Sequence, residues 1–310
     1  MPDSHPPMRS IFSSATVESE QLHALNFYFI LAAGAVLALV AYLIVYTCFR
    51  YRDRGDHAEP PQESTNLKLE ALMIGGPLVL VAVFFFLTIR TSRAILPPTG
   101  QTQPTVFIKG HQWWWEFSYP GTGVQTANEV HLPVGRRLLL EGSSADVIHD
   151  WWVPAFGEKM DVIPGRRNHV WVTIKEPGVY EGACSEFCGQ QHAWMRIRVI
   201  AQTPQDYARW LQAAAPTDAT AQRGAALFAR YACADCHQIR GTQAQGHQGP
   251  DLTHFGSRRT MLAGLQSNTP DNLRRWLDNP QAVKPGAHMP RFIFGRDTIQ
   301  ALTTYLTSLK

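Results

Sequence analysis

Cys184-Ser185-Glu186-Phe187-Cys188-Gly189-Gln190-Gln191-His192-Ala193-Trp194-Met195 gathers two thiols, an imidazole and a thioether within twelve residues. A second imidazole, His149, stands upstream in His149-Asp150-Trp151-Trp152-Val153-Pro154. Thiolate, imidazole and thioether together suit a soft, redox-active metal, above all copper. Zinc sites draw on Cys, His and carboxylate rather than Met. A mononuclear blue-copper site needs one Cys, two His and a weak Met, so the second Cys leaves room for two metals sharing bridging thiolates. In an oxidising compartment Cys184 and Cys188 could instead close a disulfide, which would leave the spacing of His192 and Met195 without a role.

The stretches around this cluster read as short strands. They include Val106-Phe107-Ile108, Trp113-Trp114-Trp115, Arg137-Leu138-Leu139-Leu140, His169-Val170-Trp171-Val172-Thr173-Ile174 and Met195-Arg196-Ile197-Arg198-Val199-Ile200. Turns at Pro120-Gly121, Pro164-Gly165 and Pro177-Gly178 separate them. Short strands punctuated in this way predict a β-sandwich or barrel.

Upstream lie two uncharged runs, 24–49 and 71–89. At 1.5 Å per residue each is long enough for the ~30 Å hydrocarbon core of a bilayer. Pro77 is tolerable in a membrane helix, and Cys48 in the first run reads as a small hydrophobe. The intervening loop carries Arg50, Arg52, Arg54 and Lys68, whereas Arg9 is the one basic residue before the first run. Cytoplasmic loops hold the excess of Lys and Arg, so both ends of the hairpin are expected on the outer face and everything after Arg90 is expected to be exported. The first run is too long for a signal-peptide core and no small-residue cleavage site follows it, so it reads as an anchor.

Downstream the pattern turns helical. Residues 202–222 shift to Ala, Thr, Pro and Asp, expected as a short helix and a linker. Leu273, Trp276 and Leu277 share a helix face, with Thr269 as cap and Pro270 in the first turn. Asp297 and Gln300 suggest a capping-box start to a last helix carrying Ile299, Leu302, Leu306 and Leu309. Cys233-Ala234-Asp235-Cys236-His237 is a C-x-x-C-H run, the signature of covalent haem c attachment, with redox or zinc CxxC sites as its short-motif rivals. Met289 and Met261 are available as a second axial ligand, and thioether ligation raises the potential. His288 is the local rival.

The chain has 310 residues, 45% of them hydrophobic, and a formal net charge of +3, which gives no reason to expect a nucleic-acid partner. The charge is uneven. Residues 217–310 hold 11 Lys/Arg against 6 Asp/Glu, and residues 91–216 hold 11 against 11, so the C-terminal part hints at an acidic partner.

Cys-x3-Cys-x3-His-x2-Met with the upstream His149-Asp150-Trp151-Trp152-Val153-Pro154 resembles subunit II of haem-copper cytochrome oxidases, over about residues 26–206. The resemblance implies a cupredoxin-like β-barrel holding a binuclear copper centre, CuA. Cys184 and Cys188 would bridge the coppers, His149 and His192 would each bind one, and Met195 and the Glu186 carbonyl would be weak axial ligands. The Glu186 side chain would help hold a Mg2+ shared with subunit I. Gly110-His111-Gln112-Trp113-Trp114-Trp115 resembles the aromatic strand of the family, in which Trp113 would first receive the electron. Lys159-Met160-Asp161-Val162-Ile163-Pro164-Gly165-Arg166 resembles a loop facing the catalytic subunit. Glu70 resembles the acid at the mouth of a proton-uptake path, or else is a solvated helix-end acid. Met73 departs from the family, which often has Trp there.

Over 220–310 the chain resembles class I cytochromes c. Gly286-Ala287-His288-Met289-Pro290 matches the sixth-ligand loop, which favours Met289. Gly249-Pro250-Asp251-Leu252 matches the loop whose carbonyl orients the proximal His237, and Gly224, Phe228 and Tyr305 match the crossing helix pair. The expected architecture is a multidomain membrane protein: residues 1–90 with a two-helix transmembrane hairpin, a cupredoxin-like CuA domain at 91–210, a linker at 211–219 and an all-α class I cytochrome c domain at 220–310.

This order resembles subunit II of the cytochrome-c-fused, caa(3)-type oxidases. It implies a bacterial inner-membrane subunit that takes electrons from cytochrome c or another donor through haem c and passes them to CuA and on to subunit I, with subunit III as a further partner. Oxygen reduction and proton pumping would occur in the partner. A CuA-bearing nitric oxide reductase subunit is an alternative, separable by its co-purifying large subunit. A stand-alone membrane-anchored shuttle, for which one span would suffice, would isolate as a monomer. A copper-delivery protein would offer an open site and need no haem.

Overall fold

The structure, a computed structural model, describes residues 12–52, 55, 65–96, 103–212 and 221–310. Arg9, Arg54 and the linker from 213 onward lie outside the described residues. Two compact units are present, Glu20–Leu96 and the remainder.

The first unit is a helical hairpin, most of α1 (Val17–Arg50) and α2 (Leu67–Ile95). Both helices outrun the apolar stretches at 24–49 and 71–89, because polar residues continue the backbone hydrogen bonding at each end. Their most apolar windows reach a mean hydropathy of 2.5 with no residue buried inside the structure. So large an exposed apolar surface needs a lipid environment. Phe29 and Phe84 stack at 4.0 Å between the helices. Asn66 caps α2 by accepting from Leu69 N at 3.1 Å, and the Glu70 carboxylate accepts from Asn66 N at 3.3 Å. This reciprocal pair works like a capping box, though Glu70 stands one residue beyond the usual third helical position, and it gives Glu70 a local role that its family resemblance does not supply.

The second unit opens with two five-stranded sheets. One has the order β3-β2-β1-β5-β8 and the other β4-β10-β9-β6-β7. The strands are β1 (Val106–His111), β2 (Trp114–Tyr119), β3 (Val124–Ala127), β4 (Glu129–Pro133), β5 (Leu138–Ser144), β6 (His149–Trp152), β7 (Lys159–Val162), β8 (Asn168–Val172), β9 (Gly178–Cys184) and β10 (Arg196–Gln202). Pairs β1/β5 and β4/β10 run parallel; the other neighbours are antiparallel. Alternation puts Val106, Ile108, Trp115, Phe117, Leu138, Leu140, Val170 and Val172 into one core with Trp151, Tyr180, Ile197 and Val199 of the other sheet, as a closed or sandwiched β fold requires. Trp113, expected within a strand, lies in the β1–β2 turn.

Residues 15–19, which the sequence groups with the membrane hairpin, pack on this β domain. Ala15 N donates to Ala155 O at 2.9 Å and Lys175 N to Ala15 O at 3.0 Å. The buried Glu18 carboxylate accepts from Thr173 N at 2.8 Å and Thr173 Oγ1 at 2.9 Å, with Arg137 at 3.5 Å. A carboxylate that meets three donors is held at little net cost. No sequence periodicity marks such a long-range pairing.

After α3 (Pro204–Gln212), a helical domain follows: α4 (Gln222–Arg230), α5 (Cys233–Cys236), the hairpin β11 (Thr260–Met261) and β12 (Gln266–Ser267), α6 (Pro270–Asp278), α7 (Pro280–Val283) and α8 (Arg296–Ser308). Its core joins Phe228, Leu273, Leu277, Ile299, Leu302 and Leu306. Phe228 meets Tyr305 edge-on at 5.8 Å. Thr269 caps α6 by accepting from Asn272 N at 3.2 Å, with Pro270 first in the helix. The capping box expected from Asp297 and Gln300 does not form: α8 begins at Arg296 behind Gly295, without a side-chain cap. Asp297 therefore sits inside the first turn, where it complements the helix dipole, and Gln300 instead accepts from Arg274 Nε at 3.1 Å.

Candidate metal and haem centres

The end of β9, the loop after it and the start of β6 bring the sulfur and nitrogen donors together. Cys184 Sγ lies 3.8 Å from Cys188 Sγ and 3.9 Å from His149 Nδ1. Cys188 Sγ lies 3.7 Å from His192 Nδ1 and 3.9 Å from Met195 Sδ. The Glu186 carbonyl lies 3.3 Å from Cys184 Sγ. His149, both cysteines and Met195 are buried, and the cysteines are free thiols. Two sulfurs 3.8 Å apart that each sit about 2.3 Å from one ion would subtend roughly 111° there, a tetrahedral opening. The two sulfurs form the centre of the set, with one imidazole on each side. This arrangement fits a pair of soft ions bridged by both thiolates, and the Glu186 carbonyl and Met195 are spaced as weak outer donors.

Without a metal, one proton is divided between the sulfurs. Cys184 is held as the thiolate, its pKa brought down to about 3, first by the hydrogen bond from Cys188 and also by His149 and two backbone groups. Cys188 correspondingly keeps its proton, pushed up by Cys184 and by burial. Burial lowers the His149 pKa, but bonds to Cys184 and Asp146 outweigh it and raise it.

Sequence reasoning missed the groups that orient these donors. Asp146 accepts from His149 Nε2 at 2.8 Å, which turns Nδ1 towards Cys184. Its other oxygen accepts from Gln112 N at 2.6 Å. A carboxylate three residues ahead of a ligand-type His at a strand start is the signal that could have found it. Gln112 Nε2 and Trp113 Nε1 both donate to the Cys188 carbonyl, at 2.8 and 3.0 Å. Glu186 and Phe187 are exposed beside the cluster, Phe187 at 77%.

A second centre lies in the helical domain. Cys233 and Cys236 stand on α5 and His237 follows it. A cavity of about 380 Å³, in the size range of cofactor sites, is lined by both cysteines, His237, Met289, Met261 and Phe228. His237 Nδ1 lies 2.8 Å from the Pro250 carbonyl, so Nδ1–H donates and Nε2 is left free as a ligand. Burial lowers the His237 pKa, only partly offset by Pro250, which keeps the ring neutral. Burial also lifts the Cys233 thiol to about 11. Gly249 presses on the ring, since a Cβ there would sit 2.6 Å from His237 Cε1. Two thiols, one neutral imidazole and a thioether around an apolar cavity fit a tethered haem with His and Met ligation. Both methionines reach the cavity, while the His288 ring rests against Trp113 at 5.1 Å.

The two centres face one another across one interface. Besides Trp113 and His288, Thr260 N and Oγ1 donate to the buried Glu129 carboxylate at 2.9 and 2.7 Å. Arg196 N, next to Met195, donates to Ala263 O at 3.1 Å.

Comparison with known proteins finds the cytochrome c oxidase subunit II periplasmic domain family over residues 122–202 and the cytochrome c family over 221–310. Cytochrome c oxidase subunit 2 of Alkalihalophilus pseudofirmus is 33% identical, covering 91% of this chain and 84% of its own. The protein of the same name from Bacillus sp. strain PS3 is 32% identical over 84% of this chain and 80% of its own. The periplasmic domain of subunit II of cytochrome oxidase (CoxB) of Bradyrhizobium japonicum aligns at 31% identity over 37% of this chain and 95% of its own, with a TM-score of 0.35.

Proposed function

This chain belongs to the cytochrome c oxidase subunit II family, with a cytochrome c domain at its C-terminal end, and from that premise we propose that it relays electrons from haem c through CuA to the catalytic subunit of the oxidase. It acts as part of an oxidoreductase complex, and oxygen reduction with proton pumping belongs to that partner. The observation that carries the reading is the contact of Trp113 with both His288 of the haem-cavity loop and the Cys188 carbonyl.

When bound, the copper pair and the haem supply one-electron acceptance and release at nearly fixed geometry. Cys184, Cys188, His149, His192, Met195 and the Glu186 carbonyl would hold the coppers. Cys233 and Cys236 would tether the haem, with His237 and Met289 as its ligands. The chain's own work is rigidity and the exclusion of water. Asp146 fixes the His149 ring, Pro250 fixes His237, and the β core packs behind both cysteines. Ligands that are pre-set in this way need little rearrangement when the charge changes.

Phe187, Ile148, Val147 and Trp194 are exposed around the copper donors. Such an apolar surface suits a protein partner, here subunit I, with the exposed Glu186 carboxylate contributing to a Mg2+ between the two. The 159–166 loop belongs to the same interface. The membrane is the bacterial inner membrane, both termini face the periplasm, and subunit III and a cytochrome c or similar donor complete the assembly. Glu70, beyond its capping role, stands at the mouth of a proton path into subunit I; that assignment rests on the family resemblance alone.

Metal and haem analysis of the purified complex tests the reading. Two coppers and one covalent haem c are expected per chain from these centres, and Cys233→Ala should remove the c-type bands while leaving the coppers. A chain with its haem but fewer than two coppers, or with no c-type haem, overturns the relay.

A further inference from the structure

Lys284 opens the stretch that ends on Met289. It is 5% exposed, yet its ammonium has no carboxylate partner among the described residues. It donates instead to two backbone carbonyls at 3.3 Å each. One is Trp113 O, in the turn beside the copper donors; the other is Leu262 O, in the β11–β12 hairpin that walls the haem cavity. The Lys284 and Pro285 carbonyls both accept from Gln191 Nε2, the neighbour of His192. Gly286 is packed against the Gln190 side chain, so no larger residue fits there without displacing it. One buried side chain thus joins three segments: the turn beside the copper-type donors, the wall of the cavity and the loop carrying Met289.

Desolvation of an ammonium without a counter-ion is unfavourable, and a buried charge is poor evidence of a stabilising role. A methionine of similar length would fill the space more cheaply. What the ammonium adds is direction: three N–H donors on one nitrogen hold two carbonyls from different domains at one point.

We propose that Lys284 is a positioning residue for electron transfer between the two centres, a clamp that fixes the Trp113 turn against the haem-cavity loop. The inference rests on the relay reading and adds the element that sets its geometry. Electron transfer falls off with the separation of the two groups and with any break in the packed path between them, so a single clamp at this junction has leverage over transfer without touching either prosthetic group.

The test uses the assembled oxidase carrying Lys284→Met, Lys284→Arg or Lys284→Gln. Two quantities are followed: hydrogen exchange of the segments 110–115 and 260–264, and the rate at which CuA is reduced after the haem is photoreduced. Lys284→Met should keep its haem and copper, exchange faster in both segments and transfer electrons several-fold more slowly. Lys284→Arg, which keeps charge and donors, should recover most of both. If the Met variant does not assemble, Lys284→Gln carries the same two readouts, with slower transfer and looser exchange again expected. Exchange unchanged in both segments, or transfer within about twofold of the unaltered chain, overturns the clamp. An unaltered chain lacking haem c or CuA overturns the relay itself, an outcome the cofactor analysis separates from failure of the clamp.

Discussion

Trp113 donates its indole N–H to the Cys188 carbonyl at 3.0 Å while its ring leans on His288 at 5.1 Å. One side chain therefore touches the backbone of Cys188, a proposed copper ligand, and His288, the neighbour of the proposed haem ligand Met289. The relay proposed above therefore predicts that a separate donor delivers its electron to the cytochrome domain rather than to the half-buried Trp113.

Trp113→Phe keeps a ring against His288 but loses the indole N–H. Gln112 Nε2 still donates to the same carbonyl at 2.8 Å, so the copper loop should keep its shape, at a loss of about 1 kcal/mol of stability. The expected result is unchanged copper content and slower haem-to-CuA transfer, followed optically after photoreduction of the haem. Transfer as fast as in the unaltered chain would show that the path runs elsewhere.

Asp146 should matter to copper without touching it. Its carboxylate orients His149 at 2.8 Å and also accepts from Gln112 N and Val147 N. Asp146→Asn can present either an oxygen or an amide N–H to the His149 ring, and the fixed tautomer is lost. Loss of such an orienting partner costs about 10–100-fold in metal affinity. Competition against a copper chelator should show that loss, with the haem bands unchanged.

Much of this was legible in the sequence because it is local. The Cys-x3-Cys-x3-His-x2-Met run, the C-x-x-C-H run and two uncharged stretches carry their chemistry in spacing alone. His149 was visible as a second imidazole upstream, but only the family resemblance gave it a role. Lys284, Glu129 and Glu18 were not legible at all. Each is a single polar residue with a distant partner: Glu129 meets Thr260 131 positions away, Lys284 meets Trp113 171 positions away as well as Leu262 22 away, and Glu18 meets Thr173 155 positions away; nothing in the neighbouring residues marks them out. The Asp297–Gln300 capping box failed for the opposite reason: a local pattern matched, but helix α8 started two residues early, with Gly295 in the cap position the pattern gave to Asp297.

Gly224 tests the helical domain's packing. A Cβ at this position would run into the Ala301 carbonyl and Tyr305 Cβ, both fixed parts of α8. Gly→Ala normally favours a helix by about 1 kcal/mol, but here overpacking should reverse the sign. Gly224→Ala is expected to destabilise by about 1–3 kcal/mol, seen as a lower melting temperature in the haem-band signal, with the copper signal lost at its usual temperature.

His131 gives the β domain an acid limb. Its ring stacks on Trp210 at 4.0 Å and its Nδ1 meets Gln202 Oε1 at 2.9 Å. Burial first, with nearby His254 and Arg258, lowers its pKa to about 4 from an ordinary 6.5, against the opposing pull of Gln202. Between these two values the unfolded chain binds a proton that the folded chain refuses. The contribution is therefore complete above pH 6.5 and is lost as pH falls towards 4. The ceiling is about 3 kcal/mol, reduced by the partial exposure of the ring. His131→Phe keeps the stack and removes the titration. Denaturant midpoints measured from pH 7 to 4 should fall more steeply for the unaltered chain than for this variant; parallel curves would mean that His131 does not titrate in this window.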